Sequence, residues 1–274
     1  MMRSASRAAL ASLRRHREET LGRAASAQTL TALAGDLYAV ADLLVDQPRL
    51  RRAVGDPASA PDARAALIGR LLDGKVSAPA VAIAQAAVRE RWSSAWDLTD
   101  ALELAADDAL FAAAEREGVI DEVEDELFRF ERILSDQSEL TTLLDEVTVE
   151  SSRRVALLDR VVAGKVRPIT QELLRHAVTS QRKRSVTFAI DDLLDEAAAL
   201  RHRSVARVIS AVELADEQQT RLAAALSEIY GRAISIRTAV DPAVVGGLVI
   251  RVGDELIDGS IAARLASARA ALAG

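Results

Sequence analysis

Side chains that could carry chemistry are few and scattered in this chain. His16, His176 and His202 could bind a metal ion or transfer a proton, but no acid or cysteine accompanies them at the spacing of a metal site. Cysteine is absent altogether, which excludes disulfides, thiol catalysis and Cys-based metal sites. We therefore expect no catalytic residue and no metal, and we interpret the histidines as solvated or helix-capping.

The sequence gives no support for a phosphate-binding site either. The pair Gly246-Gly247 does not extend into a Gly-x-Gly-x-x-Gly motif, and no P-loop occurs, so we expect no cofactor. A net charge of −6 argues against nucleic acid as the main partner. An enzyme built on a small α/β domain and a helical nucleic-acid adaptor are the competing hypotheses. Nucleotide hydrolysis by the purified protein would favour the first, and salt-sensitive DNA binding the second.

The elements that position side chains are clearest in the C-terminal segment. Asp241-Pro242 predicts a turn, and Gly246-Gly247 marks a point where the backbone bends or is closely approached. Residues 248–252 alternate at the period of a strand, and residues 255–257 predict a second short strand. Ser260 is placed as the N-cap of an alanine-rich helix. No catalytic group is concentrated here, which indicates that the segment has a structural role.

This segment resembles a known family signature. The string GGLVIRVGDELIDGSIAARL at residues 246–265 is similar to the C-terminal signature of the delta subunit of F-type ATP synthases. The mitochondrial member of that family is called the oligomycin-sensitivity-conferring protein. The similarity continues upstream through Val208-Ile209-Ser210-Ala211, Leu214 and Asp216-Glu217-Gln218-Gln219. The chain is therefore identified as a member of this family.

The rest of the C-terminal domain reads as a small α/β unit that begins near Arg203. Residues 205–211 predict a strand, and residues 234–236 predict another. Asp216 is placed as a helix N-cap, with Gln219 in a capping-box-like position. The buried stripe of that helix is predicted to comprise Leu222, Ala225, Leu226 and Ile229.

An internal repeat is the second informative feature. Residues 64–76 match residues 154–166 at seven of thirteen positions, with an offset of 90. The same offset aligns Asp46-Gln47 with Asp136-Gln137. Two separate blocks that share one ungapped offset predict a duplicated helical domain.

Each copy reads as a bundle of short amphipathic helices. Gly164 is predicted to end the helix over residues 155–162 as a C′ glycine, and Gly74 to end its counterpart in copy one. Pro79 and Pro168 each open the next helix at a position where proline is tolerated. A buried stripe of the second copy is predicted to comprise Leu127, Phe130, Ile133 and Leu134.

One helix is predicted to join the two copies. Leu98 to Glu117 contains no proline or glycine and reads as the last helix of copy one running into the first of copy two. Trp92 and Trp96 are expected inside the first bundle, with a hydrophobic interface as the alternative. The fold class is mainly α: two tandem helical bundles followed by a small α/β C-terminal domain. The predicted domains are residues 1–104, 105–202 and 203–274.

The resemblance implies a structural, non-catalytic function. Family members link the catalytic head of the proton-translocating ATP synthase to its peripheral stalk. The helical bundle is expected to bind an N-terminal helix of an alpha subunit between its first and fifth helices, and the C-terminal domain to hold the b subunit. In this chain the groove helices correspond to residues 5–13 and 79–91 in copy one, and to residues 106–115 and 168–181 in copy two. The implied partner-binding residues are Ala8, Leu10, Ala109, Phe111, Ala177, Gly247, Ile257 and Arg264.

The resemblance also implies a location at the cytoplasmic side of a bacterial cell membrane. No run approaches the ~18 apolar residues that span a bilayer, so contact with the membrane is expected only through the complex. The first 17 residues carry five arginines and no acid, a composition also typical of a mitochondrial transit peptide. We favour a first bundle helix there. A helical adaptor outside the ATP synthase is the alternative function.

Overall fold

The computed structural model describes residues 4–22, 25–180, 185–203, 205–230, 234–241, 244, 246–252 and 255–259. Contacts between residues group the chain into two compact units, Met1–Leu194 and Asp195–Gly274. Eleven helices precede the first strand within the described ranges. Their bounds are α1 Ser4–Leu21, α2 Ala27–Asp46, α3 Pro48–Gly55, α4 Pro61–Leu72, α5 Ala78–Arg89, α6 Ala95–Glu117, α7 Ile120–Asp136, α8 Ser138–Asp145, α9 Ser151–Val162, α10 Pro168–Thr179 and α11 Val186–Arg203.

Local sequence signals explain where several helices begin and end. Ser26 caps α2, because its side chain accepts a hydrogen bond from the backbone N–H of Thr29 at 3.1 Å. Proline lies in the first turn of both α5 and α10, as predicted. α6 ends at Gly118, whose φ of 69° is left-handed and whose N–H bonds back to α6 carbonyls. The 23 residues of α6 confirm the predicted uninterrupted helix over residues 98–117.

Helix bounds recur along the first unit with a constant offset. α3, α4 and α5 begin and end 90 residues before α8, α9 and α10. The N–H of Ser77, just before α5, donates to Asp36 of α2 at 2.8 Å. At the same offset, the N–H of Arg167 donates to Glu126 of α7 at 2.9 Å. One hydrogen-bond pattern therefore fixes the start of both helices.

A pair of buried arginines repeats at the same offset. Arg64 of α4 donates to the carbonyl of Arg89 at 3.3 Å, and Arg154 of α9 donates to that of Val178 at 2.8 Å. Each guanidinium thus holds a helix to the C-terminal end of the next one. Both arginines are buried, so these bonds are shielded from water.

α6 is covered on all sides over two turns. Every residue from Ala105 to Phe111 is buried. Because successive helical residues point about 100° apart, such a run closes the whole circumference. α1, α2, α3 and α5 contact α6 from the first half of the unit, and α7 and α10 from the second. The helix therefore serves as core for both halves.

The second unit contains a four-stranded sheet with the order β2-β1-β3-β4. β1 and β2 are parallel, which requires the crossover that α12 supplies, whereas β3 pairs antiparallel with both β1 and β4. Leu226 of α12 packs in the core with Val208 and Ile250. This small sheet after a helical region confirms the predicted fold class. The bounds are β1 Val205–Ser210, α12 Asp216–Tyr230, β2 Ser235–Val240, β3 Leu248–Val252 and β4 Glu255–Asp258.

The predicted cap of α12 is wrong in detail. Asp216 is the first helical residue and not the N-cap. The side-chain oxygen of Gln218, and not a group of Gln219, accepts the N–H of Ala215 at 3.0 Å. Gln219 instead donates to the carbonyl of Leu214 at 2.9 Å. The two glutamines thus form hydrogen bonds with backbone groups that a single capping side chain would leave without a partner.

The predicted stripe of α12 is only half right. Leu222 and Leu226 pack toward the sheet, together with Tyr230. Ala225 and Ile229 are exposed, because the face that meets the sheet follows a spacing of four residues.

Two large side chains of the first unit are more exposed than predicted. Ile133 lies at the edge of its stripe and is 42% exposed. Trp92 is buried and donates to the carbonyl of Ala87 at 2.7 Å, as expected for an interior residue. Trp96 is 39% exposed, and the guanidinium of Arg51 lies 3.5 Å from its ring centroid.

The basic cluster 181–184 and the helix predicted after Ser260 lie outside the described residues.

Candidate functional site

The first predicted groove lies between α1 and α5, which contact each other. Ala8, Ser12 and His16 are four residues apart on α1 and share one face, as Ala82 and Ala86 do on α5. All five are at least partly exposed. A cleft of about 200 Å³ lies between the two helices. Its lining residues are Ser12, Leu13, His16, Ala86, Arg89 and Glu90.

The two predicted contact residues of α1 differ in position. Ala8 is exposed and lies on the same stripe as Ser12, which lines the cleft. Leu10 is half-buried and lies two residues further on, so it points roughly 200° away around the helix. Ala8 therefore borders the groove, whereas Leu10 does not share its face.

Ion pairs fasten α1 to α6. Arg14 Nε donates to Asp108 Oδ2 at 2.8 Å, and Arg17 Nη1 lies 3.3 Å from the same oxygen. The Asp108 side chain is buried, so water screens these contacts less than it screens surface pairs. Ser6 donates to Asp97 at 2.6 Å near the other end of α1. One wall of the first groove is thereby held at two points.

The second predicted groove, between α6 and α10, does not expose the side chains that were predicted to contact a partner. Ala109 and Phe111 are fully buried, and Ala177 is 5% exposed. The expectation that these three side chains meet a partner helix needs correction, because the folded chain already covers them. The physical reason is that α6 belongs to both halves of the unit. The face that a lone bundle would expose is packed against the preceding helices.

Tyr38 of α2 reaches both walls of this second groove. Its ring stacks on that of His176 of α10, with centroids 3.8 Å apart and planes 18° apart. Its hydroxyl donates to Asp107 of α6 at 2.5 Å. The interpretation of His176 as solvated or capping is therefore wrong: the ring is buried. No local sequence signal links residues that are this far apart in the chain.

A larger cleft, of about 650 Å³, remains near the start of α10. α2 forms one wall of it, and Leu110 of α6 lies between α2 and α10. The lining residues are Gln28, Thr31, Ala32, Ala34, Gly35, Tyr38, Leu110, Glu117, Arg167, Pro168, Ile169 and Glu172.

An ion pair holds α10 to α9 on the side of the second half. Arg175 donates to both carboxylate oxygens of Asp159, at 2.8 and 3.0 Å. The hydrogen bond from Arg175 lowers the pKa of the Asp159 carboxyl, and Gln171 adds to the effect while burial opposes it. The same pair raises the pKa of Arg175. The charged forms are therefore the ones that the fold stabilises.

Two of the three predicted contact residues of the C-terminal unit are described: Gly247 just before β3, and Ile257 within β4. Gly246 and Gly247 adopt φ of 67° and 83°, which explains the glycine pair ahead of β3. Ile257 is 37% exposed on β4, and its neighbour Leu256 is 54% exposed. Arg264 lies outside the described residues.

No constellation for catalysis emerges from the described residues. No group of three or more His, Cys, Asp or Glu is arranged there to hold a metal ion. The acidic stretch 122–126 is exposed at Glu122 and Asp125, in line with a solvated face. Glu126 differs, because it is buried and also accepts a hydrogen bond from Thr170 at 2.5 Å. Its role is to position α10.

Comparisons with known proteins agree on one family. The family model described as ATP synthase delta (OSCP) subunit matches residues 107–272. The chain is similar to "ATP synthase subunit delta" of Streptomyces griseus, with 42% identity over 100% of both chains. It is equally similar to the protein of that name from Frankia alni, with 42% identity over 99% of both chains. A chain in the cryo-EM structure of the Toxoplasma gondii mitochondrial ATP synthase hexamer aligns over 61% of this chain and 95% of its own length, with 22% identity and a TM-score of 0.30. That score is too low to support an argument about the fold.

Proposed function

The chain belongs to the ATP synthase delta (OSCP) subunit family, and from this premise we propose that it binds the N-terminal helix of an alpha subunit in the groove between α1 and α5. As a member of this family it is a non-catalytic stator subunit of ATP synthase. A stator holds the catalytic head against the torque of the rotor, so its contacts must outlast many turnovers. Nanomolar binding, which corresponds to about 12 kcal/mol, would meet that requirement.

The observation that carries this proposal is the open pair of small-residue stripes on α1 and α5. Ala8 and Ser12 on one helix and Ala82 and Ala86 on the other leave room for a third helix to approach closely. The apolar side chain of Leu13 also lines the cleft, although it is buried in the fold. An amphipathic helix that lays its apolar face along this groove is the ligand that such a surface fits.

The second proposal concerns the C-terminal unit, which we propose holds the b subunit of the peripheral stalk. Leu256 and Ile257 lie on β4, an edge strand whose four residues are all exposed. An edge strand presents unpaired backbone groups that another chain can pair with. Gly247 shapes the turn that starts the neighbouring strand.

We also propose that the first unit arose by duplication, with copies at residues 1–104 and 105–202 and the stalk-binding domain at 203–274. The support is the recurrence of three helices at an offset of 90, with the same buried arginine and the same helix-starting hydrogen bond. α6 and α11 extend across the two proposed boundaries.

The ATP synthase is a membrane-associated complex, and we propose that this subunit lies at its cytoplasmic side. Among the helices that the structure describes, none has the length and apolar character to cross a bilayer. We propose that membrane association comes through the other subunits of the complex.

Calorimetric titration of the full chain with an N-terminal alpha-subunit peptide tests the proposed groove. Ala86→Arg places a long charged side chain in the cleft and is expected to weaken binding at least tenfold. Ala66→Arg makes the same change on the exposed face of α4 and serves as the matched control. Equal affinities for the two variants, or no binding by the unaltered chain, would refute docking at α1 and α5.

Pull-down of the b subunit by the full chain tests the second proposal. Ile257→Asp is expected to reduce capture, because it puts a charge on the exposed edge strand. Val212→Asp changes another exposed residue of the same unit and should leave capture unaltered. Undiminished capture by Ile257→Asp would exclude β4 from the stalk contact.

A further inference from the structure

The two grooves of the first unit differ in how far their first helices are exposed. In the first, the stripe Ala8, Ser12 and His16 of α1, which lies beside the buried residues of that helix, is at least partly exposed. In the second, the equivalent helix α6 is buried around its whole circumference from Ala105 to Phe111. Equivalent helices therefore carry unequal binding surfaces.

The residue that closes the second groove is Tyr38. It stacks on His176 of α10 and donates a hydrogen bond to Asp107 of α6, so one side chain of α2 contacts both walls. The ring of Tyr38 is half-buried and its hydroxyl is hydrogen-bonded, and an amphipathic aromatic side chain of this kind is a common anchor of helix ligands in grooves.

No tyrosine, phenylalanine or tryptophan side chain lines the matching position of the first groove among the residues described. The offset of 90 pairs His176 of α10 with Ala86 of α5. Ala86 lines the open cleft of about 200 Å³ beside Ser12 and His16 of α1. The spot that Tyr38 fills in the second groove is thus an open depression in the first.

The helix that carries Tyr38 also differs from its own counterpart. At the same offset Tyr38 corresponds to Phe128 of α7, which is 50% exposed. Thr31, Ala32 and Gly35, which face α10 across the larger cleft, correspond to Asp121, Glu122 and Asp125. The residues of α2 that border this cleft are small and uncharged, whereas the corresponding residues of α7 are acidic and exposed.

We infer that α2 is a built-in occupant of the groove between α6 and α10, so that the chain takes one partner helix and not two. The inference deepens the proposed function and rests on it, because it assigns the partner helix to α1 and α5 alone. A helix that entered the cleft of about 650 Å³ beside α10 would lie against α2, which forms one wall of this cleft together with residues of α6 and α10. Copy two then supports copy one structurally and does not itself bind a partner helix.

Nuclear magnetic resonance on the full chain tests the internal contact without any partner. The chain has two tyrosines and three histidines, so selective labelling of both types makes the Tyr38–His176 ring contact easy to assign. We expect a ring-to-ring Overhauser effect in the free chain that persists at saturating alpha-subunit peptide. Its absence in the free chain, or its loss on adding peptide, would overturn the inference.

Titration calorimetry supplies the stoichiometry. We expect one peptide per chain, at least tenfold weaker binding for Ala86→Arg, and affinity within twofold of the unaltered chain for Gly35→Arg. Gly35 lines the second cleft, and a Cβ there meets no atom within 4 Å, so Gly35→Arg obstructs that cleft without disturbing α2. A stoichiometry of two, or binding lost in Gly35→Arg and kept in Ala86→Arg, contradicts the inference. No binding by any form refutes the proposed docking alone, and the ring contact then decides whether α2 closes the second groove.

Discussion

Tyr38 and His176 stack with ring centroids 3.8 Å apart, although one lies on the second helix of the chain and the other on the tenth. The contact joins the two halves of the first unit at the point where the second groove would otherwise open. Its geometry is close to parallel, with an angle of 18° between the rings. Tyr38 is half-buried, and its hydroxyl donates to Asp107 at 2.5 Å.

The first prediction concerns the energy of this contact. Tyr38→Ala is expected to lower the free energy of unfolding by about 3 kcal/mol, because it removes a packed aromatic ring and the hydroxyl group that donates to Asp107. Phe128→Ala changes the counterpart on α7, which is 50% exposed, and should cost less than about 1 kcal/mol. Urea unfolding followed by tryptophan fluorescence measures both, since Trp92 and Trp96 lie in the first unit. Similar losses would mean that Tyr38 does not hold the halves together.

Local patterns predicted most of the elements but not the way the two halves pack. Glycine, proline and the offset of 90 predicted where α5, α9 and α10 begin or end, because caps and turns depend on neighbouring residues. The groove residues Ala109 and Phe111 could not be placed correctly from the same patterns. Their burial depends on α2, and nothing in the sequence around α6 reveals which distant helix covers it.

The second prediction is a pH dependence at Asp159. Arg175 lowers the pKa of this carboxyl in the folded chain, whereas an unfolded aspartate titrates near about 3.9. The stabilisation is therefore complete above about pH 5 and is lost as the pH falls through the folded-state pKa. Asp159→Asn should lower the free energy of unfolding at pH 7 by less than about 1 kcal/mol, since both side chains are about one-third exposed.

Urea unfolding at pH 7 and near pH 3 measures this dependence. The difference between Asp159→Asn and the unaltered chain should shrink at the lower pH. Asp62→Asn is the control, because its ion pair with Arg89 is on the surface and Asp62 is 92% exposed. A difference for Asp159→Asn that is the same at both pH values would show that its charge is not the cause.

The third prediction uses one substitution at two glycines. Gly35 is helical and exposed, and a Cβ there meets nothing within 4 Å, so Gly35→Ala should stabilise α2 by about 0.5–1 kcal/mol. Gly247 has a φ of 83°, so Gly247→Ala should destabilise the C-terminal sheet by about 1–2 kcal/mol. Hydrogen exchange of α2 and β3 amides reports on each element separately. Changes of the same sign would mean that backbone conformation does not control these sites.

The capping of α12 shows a second limit of local reasoning. Asp216 has the residue type and spacing of an N-cap, yet it is already the first helical residue, and Gln218 accepts the N–H of Ala215. Both arrangements satisfy backbone donors at a helix start, and the residue types present permit either. Packing of Leu222 and Leu226 on the sheet selects between them, and that packing is not local.

The last prediction concerns Asp108, which ties α1 to α6. Its side chain is buried and lies within 3.3 Å of Arg17 and 2.8 Å of Arg14. Asp108→Ala removes the acid and leaves two arginines near a buried position, which typically costs about 3–5 kcal/mol for a buried pair. We expect α1 to detach first, because Ser6 then remains to hold the other end of α1, by one hydrogen bond donated to Asp97 and one accepted from the N–H of Ser93. Asp125→Ala breaks an exposed pair with Arg129 on α7 and should change stability by less than about 0.5 kcal/mol.

Hydrogen exchange of α1 amides and peptide titration should change together in Asp108→Ala, since α1 is a wall of the proposed docking groove. If α1 exchanges faster while the peptide binds with unaltered affinity, the partner helix does not use that wall.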